Sequence, residues 1–172
     1  MDIYGVGTKL ATCAGEGGGA LGGVYKLVCI GGRPTLKATS DPAKGTLPGE
    51  KELYRVQDAS GQHLFDLITL KDEPINCGDE VFDPENAGRS QRIPGGTELV
   101  ELRQPVMAEG ALLGADEEFE TMSRRCRQQL ARLPDGSLRL VNPHRYKVSI
   151  SCGLLRLRQE LLVEVTKKCG SL

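Results

Sequence analysis

The chain has 172 residues, 39% of them hydrophobic and 26% charged, and 22 basic against 23 acidic side chains leave a formal net charge of -1. There is no long basic run and no interleaving of basic with aromatic residues, so nucleic acid is excluded as a leading partner; no apolar run reaches membrane-spanning length, so a membrane is excluded as well. With four Tyr, three Phe and no Trp, any core must be built from aliphatic side chains.

Asp2 to Tyr4 read as the end of a strand that enters the turn Gly5-Val6-Gly7-Thr8, and a glycine-rich patch follows at 15–19. Val24 to Ile30 is a short apolar run expected as a buried strand. Gly31-Gly32 supplies the positive φ angles of a tight hairpin, with Thr35 to Thr39 expected to return beside it. Asp41-Pro42 and Leu47-Pro48-Gly49 mark Ser40 to Glu50 as a loop. A second hairpin is expected from Leu53 to Asp58 and from His63 to Leu70, turning at Ala59-Ser60-Gly61. Within it Phe65, Leu67 and Thr69 share one face. Cys77 to Gly96 is polar and turn-rich, with a short strand at Val81-Phe82, and the alternation from Leu99 to Gln104 predicts another strand.

Helices come late. Phe119, Met122, Cys126, Leu130 and Leu133 recur at helical spacing, with Asp116 expected to cap the start, acids near that end, arginines toward the other, and Pro134-Asp135-Gly136 as the stop. A second helix is expected after Ser151 to about Lys167, its stripe formed by Leu154, Leu157, Leu161 and Val165, with Gly170 closing it. Strands first and helices second predict an α+β fold, an antiparallel β-rich module followed by two amphipathic helices. The expected divisions are 1–14 (strand end and turn), 15–23 (glycine-rich loop), 24–113 (β-rich module) and 114–172 (helical segment).

Six cysteines are scattered, with no Cys-x-x-Cys pair and no zinc spacing, and no signal peptide is visible. Reduced thiols in the cytoplasm are the expectation, with no metal site. His63 beside a hairpin turn and His144 in an Asn-Pro turn are expected to pack or face solvent rather than catalyse. The arginines 124, 125 and 127 read as a solvated helix face, and lysines 26, 37, 44 and 51 as strand and loop faces.

The turn at Gly5-Val6-Gly7-Thr8 carries the chemistry. Two glycines let backbone N–H groups converge on one point, forming an anion-binding nest to which the Thr8 hydroxyl adds a donor. At this glycine content ~3 Gly-x-Gly matches arise by chance, and only ~0.15 with Thr in fourth place. Gly15-Glu16-Gly17-Gly18-Gly19-Ala20 has the letters of a dinucleotide fingerprint, but a strand rather than a helix is expected after it, which removes the phosphate-facing helix N-terminus.

The order of short motifs is more specific. Tyr4-Gly5-Val6-Gly7-Thr8 is followed by Ala20 to Val28, Gly32-Arg33-Pro34 with Lys37, Asp41-Pro42-Ala43-Lys44, Thr46-Leu47-Pro48-Gly49-Glu50-Lys51 and Tyr54-Arg55. Pro105-Val106-Met107 to Gly110 and Asn142-Pro143-His144-Arg145-Tyr146 come later. This series resembles the C-terminal region of nicotinate phosphoribosyltransferases, type II enzymes with an irregular α/β barrel and a flanking domain. The resemblance implies an activity that joins nicotinate to 5-phosphoribosyl 1-diphosphate, with ATP and Mg2+ serving the complete enzyme, and a homodimer. It also implies that Gly5, Gly7 and Thr8 face the 5-phosphate of the sugar substrate. In the family the phosphorylated histidine and the nicotinate-holding residues precede this turn, so the 172 residues alone are expected to bind no cofactor and to be inactive. The other reading is a non-catalytic assembly or binding module that docks onto a full-length subunit.

Overall fold

The structure is a computed structural model that describes residues 25–37, 45–114 and 117–169. Its centre is the hairpin expected from the sequence, β3 (Lys51–Gln57) and β4 (His63–Leu70), paired antiparallel from Lys51 opposite Leu70 to Val56 opposite Phe65. The register slips between Val56 and Gln57, a bulge that takes up the extra residue before the turn. Asp58 builds that turn: its carboxylate accepts from the backbone N–H of Ser60 at 2.8 Å, the Ser60 hydroxyl at 2.6 Å and the Gln62 N–H at 3.0 Å. These bonds, that from the Ser60 side chain first, hold the Asp58 carboxyl below its ordinary pKa.

The first hairpin is shorter than expected. Only β1 (Cys29–Ile30) and β2 (Arg33–Pro34) pair, around Gly31 and Gly32 at φ 54° and 76°, so the turn stands as read. The expected strand Thr35–Thr39 does not form within the described residues: Thr35 still returns beside the first strand, its N–H donating to the Val28 carbonyl at 2.8 Å and its hydroxyl to the Leu27 carbonyl at 3.2 Å, but residues 35–37 are not part of a strand. β3 and β4 belong to a six-stranded sheet with β5 (Glu80–Phe82), β6 (Ser90–Arg92), β7 (Glu98–Glu101) and β10 (Val148–Ile150), in the order β6-β5-β10-β4-β3-β7. All neighbours are antiparallel except β10 and β4, which run parallel with Ser149 opposite Leu67. A separate two-stranded ribbon, β8 (Met107–Ala108) and β9 (Ala111–Leu112), is exposed throughout.

Alternation in β4 sorts its side chains: His63, Phe65, Leu67 and Thr69 are buried, and the residues between them are half-buried. Phe65 and Leu67 join Val56, Val81 and Ile93 in the core, with Tyr54, Leu64, Ile75 and Leu99 packed around it. As the composition requires, the core is mainly aliphatic.

The second helix, α2 (Cys152–Cys169), packs against β4 and β5, with Leu154 fully buried and Leu157 and Leu161 half-buried. Its first turn is held by a residue 80 positions earlier. Glu73 accepts from the Gly153 N–H at 3.0 Å, the Ser151 hydroxyl at 2.6 Å and the Leu70 N–H at 3.0 Å, while the Ser151 hydroxyl oxygen accepts from the Leu154 N–H at 3.2 Å. Orphan donors of the first turn are thereby satisfied, and the helix is tied to the end of β4. Gly153 is needed for the approach, since a Cβ there would lie 2.5 Å from Glu73 Oε1.

The first helix, α1 (Phe119–Ala131), departs from expectation in three ways. Its N-cap is Glu118, not Asp116, and makes no side-chain capping bond. Its last turn holds no basic residue, because Arg124, Arg125 and Arg127 sit in mid-helix. None of its residues is buried: Phe119 is 77%, Leu130 49% and Met122 41% exposed. It does stop ahead of Pro134-Asp135-Gly136, where a 3-10 turn (Asp135–Leu138) follows.

Candidate functional site

Gly5, Gly7 and Thr8 lie outside the described residues, as does Lys44, so the built geometry here belongs to the module downstream of the turn. One polar cluster joins the central hairpin to the later half of the chain. Arg55 and Asp66 are directly opposite on β3 and β4, hence on one face of the sheet. The guanidinium grips the carboxylate with two bonds, Nε to Oδ1 at 2.8 Å and NH2 to Oδ2 at 3.0 Å. Arg55 NH1 also donates to Gln129 Oε1 of α1 at 3.2 Å, and the Tyr146 hydroxyl donates to Asp66 Oδ1 at 3.2 Å. The Tyr146 ring lies 5.9 Å from the Arg55 guanidinium carbon, within cation–π range. Burial first, then the Asp66 charge, pushes the Tyr146 phenol up to about 12. The Asp66 hydrogen bonds raise the Arg55 pKa further. With its two parallel bonds and its further partners on α1 and at Tyr146, the cluster is a clamp between segments.

Beside it opens a cleft of about 400 Å³, lined by Asp83, Glu85, Arg89, Arg145, Tyr146 and Lys147 among others. Arg145 closes one side through a bidentate pair with Glu85 at 2.7 and 3.0 Å. That pairing, through its hydrogen bonds first, holds the Glu85 carboxyl below its ordinary pKa. The lining mixes both charges, with no group of three His, Cys, Asp or Glu placed to hold a metal among the described residues.

Lys51 is not a solvated strand residue. Its ammonium donates to the carbonyl oxygens of Leu47, at 2.8 Å, and Gly49, and burial lowers its pKa. Gly49 has φ 79°, and a Cβ there would lie 3.1 Å from a Leu70 methyl and 3.3 Å from one of Leu157. Thr46-Leu47-Pro48-Gly49-Glu50-Lys51, read from sequence as part of a motif, is thus a corner that seats the hairpin under α2.

His144 is exposed and rests on Gly136, whose carbonyl accepts its backbone N–H at 2.8 Å. His63 is fully buried, with no hydrogen-bond partner on either ring nitrogen. Burial first, then the Arg55 and Arg132 charges, pushes its pKa below the ordinary 6.5. It packs as a neutral ring with no open face. Cys29, Cys77, Cys126 and Cys152 are free thiols, and no helix among the described residues is long and apolar enough to cross a membrane. Sequence reading missed the Arg55–Asp66 clamp and the Glu73 cap. A charge alternating with apolar residues on each strand of a hairpin was a usable signal for the clamp; Glu73 carried none.

Residues 50–158 match a family model described as nicotinate phosphoribosyltransferase C-terminal domain. The chain is 32% identical over 161 residues to the nicotinate phosphoribosyltransferase of Homo sapiens, covering 88% of this chain and 28% of that protein. It is 33% identical over 158 residues to nicotinate phosphoribosyltransferase 1 of Arabidopsis thaliana, covering 90% of this chain and 28% of that one. Among solved structures, human nicotinic acid phosphoribosyltransferase superposes with a TM-score of 0.65 at 29% identity, over 89% of this chain and 30% of its own. The chain therefore spans a little over a quarter of the length of the curated relatives it matches.

Proposed function

Because the chain belongs to the nicotinate phosphoribosyltransferase family, matching that family's C-terminal domain over residues 50–158, we propose that it acts as the C-terminal part of an enzyme making nicotinate mononucleotide. In the reaction, the ring nitrogen of nicotinate bonds to C1 of 5-phosphoribosyl 1-diphosphate as the C1–oxygen bond breaks and diphosphate departs with its electron pair. The product feeds NAD synthesis. ATP and Mg2+ serve the complete enzyme, which is a cytoplasmic homodimer in this reading.

Within that enzyme, Gly5, Gly7 and Thr8 bind the 5-phosphate of the sugar. The phosphate does not react. Holding it anchors the ribose, so its binding energy orients C1 for attack. The observation that carries this reading is collinear similarity across 88% of the chain to a curated enzyme of that name. The sequence Gly5-Val6-Gly7-Thr8 supports the phosphate assignment by its own chemistry, since nested N–H groups bind anions.

These residues alone are expected to bind and not to catalyse. A complete barrel of this kind needs about 250 residues. Two or three charged hydrogen bonds contribute roughly 1.5–3 kcal/mol each, against an association entropy of at least about 4 kcal/mol. Phosphate affinity is then around millimolar or weaker. The test is incubation of the purified 172-residue chain with nicotinate, phosphoribosyl diphosphate, ATP and Mg2+. No nicotinate mononucleotide is expected; its clear formation would contradict this division of labour.

A further inference from the structure

The core-bearing face of the six-stranded sheet changes character toward its β6 edge. Residues directly opposite one another share a face, so the face that buries Leu67 and Val81 continues to Ser149, opposite Leu67, and to Gln91, opposite Val81. Ser149 is only 4% exposed and Gln91 is half-buried. Two polar side chains thus stand where the core pattern calls for apolar ones, and breaks of this kind concentrate at functional sites. Gln91 Nε2 donates to Ser149 Oγ at 3.2 Å. Among the described residues the Ser149 hydroxyl proton has no acceptor, and neither has the second amide hydrogen of Gln91.

Both residues line the cleft of about 400 Å³ beside the clamp, and three cations stand around it, Arg89, Arg145 and Lys147. The side chains of Arg89 and Lys147 make no hydrogen bond or ion pair among the described residues. Arg145 is paired with Glu85, but the two side chains are 82% and 52% exposed, and a pair so screened by water is exchanged at little cost. Asp83 turns Oδ1 onto its own backbone, accepting from the N–H groups of Glu85 and Asn86 at 2.8 and 3.1 Å. Three cations against the carboxylates of Asp83 and Glu85 leave one net positive charge in the lining.

We propose that this cleft binds a phosphomonoester, a small organic molecule ending in a single phosphate group. The unpartnered Arg89 and Lys147 meet the phosphate, Arg145 turns to it from Glu85, and Ser149 and Gln91 supply the uncharged donors. A guanidinium matches two phosphate oxygens at once, and a phosphate brings three acceptor oxygens and more charge than a carboxylate, which suits it to this excess of donors. The cleft is larger than the anion alone requires and falls in the range of small-ligand sites. Val81, Pro84 and Val148 give the organic body an apolar wall. The inference rests on this lining and not on the turn at Gly5, Gly7 and Thr8, nor on the proposed activity.

The test is titration of the isotope-labelled 172-residue chain with adenosine monophosphate, followed amide by amide by two-dimensional NMR, with adenosine and inorganic phosphate as separate arms. Adenosine monophosphate is expected to give saturable shifts at residues 83–91 and 145–149. Inorganic phosphate should move the same amides with at least tenfold weaker affinity, and adenosine should be weaker still. Arg89→Ala with Lys147→Ala, both exposed positions, is expected to weaken binding at least tenfold while the spectrum stays dispersed. Ser149→Ala, which removes only a hydroxyl, should weaken it several-fold. Shifts confined to residues 5–8 would assign the binding to the turn and overturn the proposal. It is overturned equally if adenosine binds as well as its monophosphate, if the double variant binds like the parent, or if no cleft amide moves.

Discussion

Removing the Glu73 carboxylate tests whether α2 is held by a single remote side chain. Glu73→Ala deletes three bonds together, from the Leu70 N–H, the Ser151 hydroxyl and the Gly153 N–H. Loss of an N-terminal cap costs about 0.5–2 kcal/mol. Loss of the negative charge beside the helix N-terminus adds about 0.3–1 kcal/mol. Glu73 is half-buried, so water replaces part of what is lost, and a net destabilisation of about 2 kcal/mol is expected. Glu73→Gln keeps one carbonyl acceptor and most of the shape, and should lose about half as much. Urea denaturation followed by far-ultraviolet circular dichroism measures both, with an unchanged slope required for a clean comparison. Gly153→Ala should mimic part of the loss, because its methyl carbon would lie 2.5 Å from Glu73 Oε1 and push the carboxylate off its donors. A Glu73→Ala chain within about 0.5 kcal/mol of the parent, the spread of ordinary surface substitutions, would refute the capping argument.

His63 gives a pH dependence with a definite sign. Its folded pKa lies below the ordinary 6.5, so between the two values the unfolded chain binds more protons and stability rises with pH. The folded form is at full strength above about pH 6.5 and weakens below it, by at most about 1.4 kcal/mol per pH unit; His63→Leu should flatten the urea midpoint between pH 7.5 and 5.5, and an equally steep loss in that variant would exclude His63 as the cause. For the clamp, Arg55→Ala, Asp66→Ala and the double variant should give a coupling energy of about 1–3 kcal/mol, since the half-buried pair is bidentate. A coupling near zero would mean that solvent screens the pair as it screens surface ion pairs.

The central hairpin was legible in the sequence because its apolar residues alternate over a full strand, and α2 because Leu154, Leu157, Leu161 and Val165 keep one helical stripe. β6 was missed because Ser90-Gln91-Arg92 is polar throughout; an edge strand needs no apolar face. β10 was missed because three residues carry no period, and its parallel place beside β4 depends on contacts across 82 positions, such as Val148 with Asp66. The spacing in α1 correctly announced a helix but not what covers it. The clamp residues were visible as charges within a hairpin, but only register brings Arg55 opposite Asp66. Lys51 read as solvated because nothing in its neighbours foretells that Leu47 and Gly49 turn their carbonyls toward it. The phosphate turn, Gly5, Gly7 and Thr8, rests on local chemistry and family resemblance.

Steady-state kinetics of Gly7→Val in a complete subunit bear most directly on that turn. If the proposed nest holds the phosphate, a valine Cβ and its branches at position 7 would obstruct its close approach to the backbone N–H groups. The apparent KM for phosphoribosyl diphosphate is expected to rise at least tenfold, with the KM for nicotinate little changed and the melting temperature preserved. An unaltered KM for phosphoribosyl diphosphate in a folded Gly7→Val enzyme would contradict the assignment.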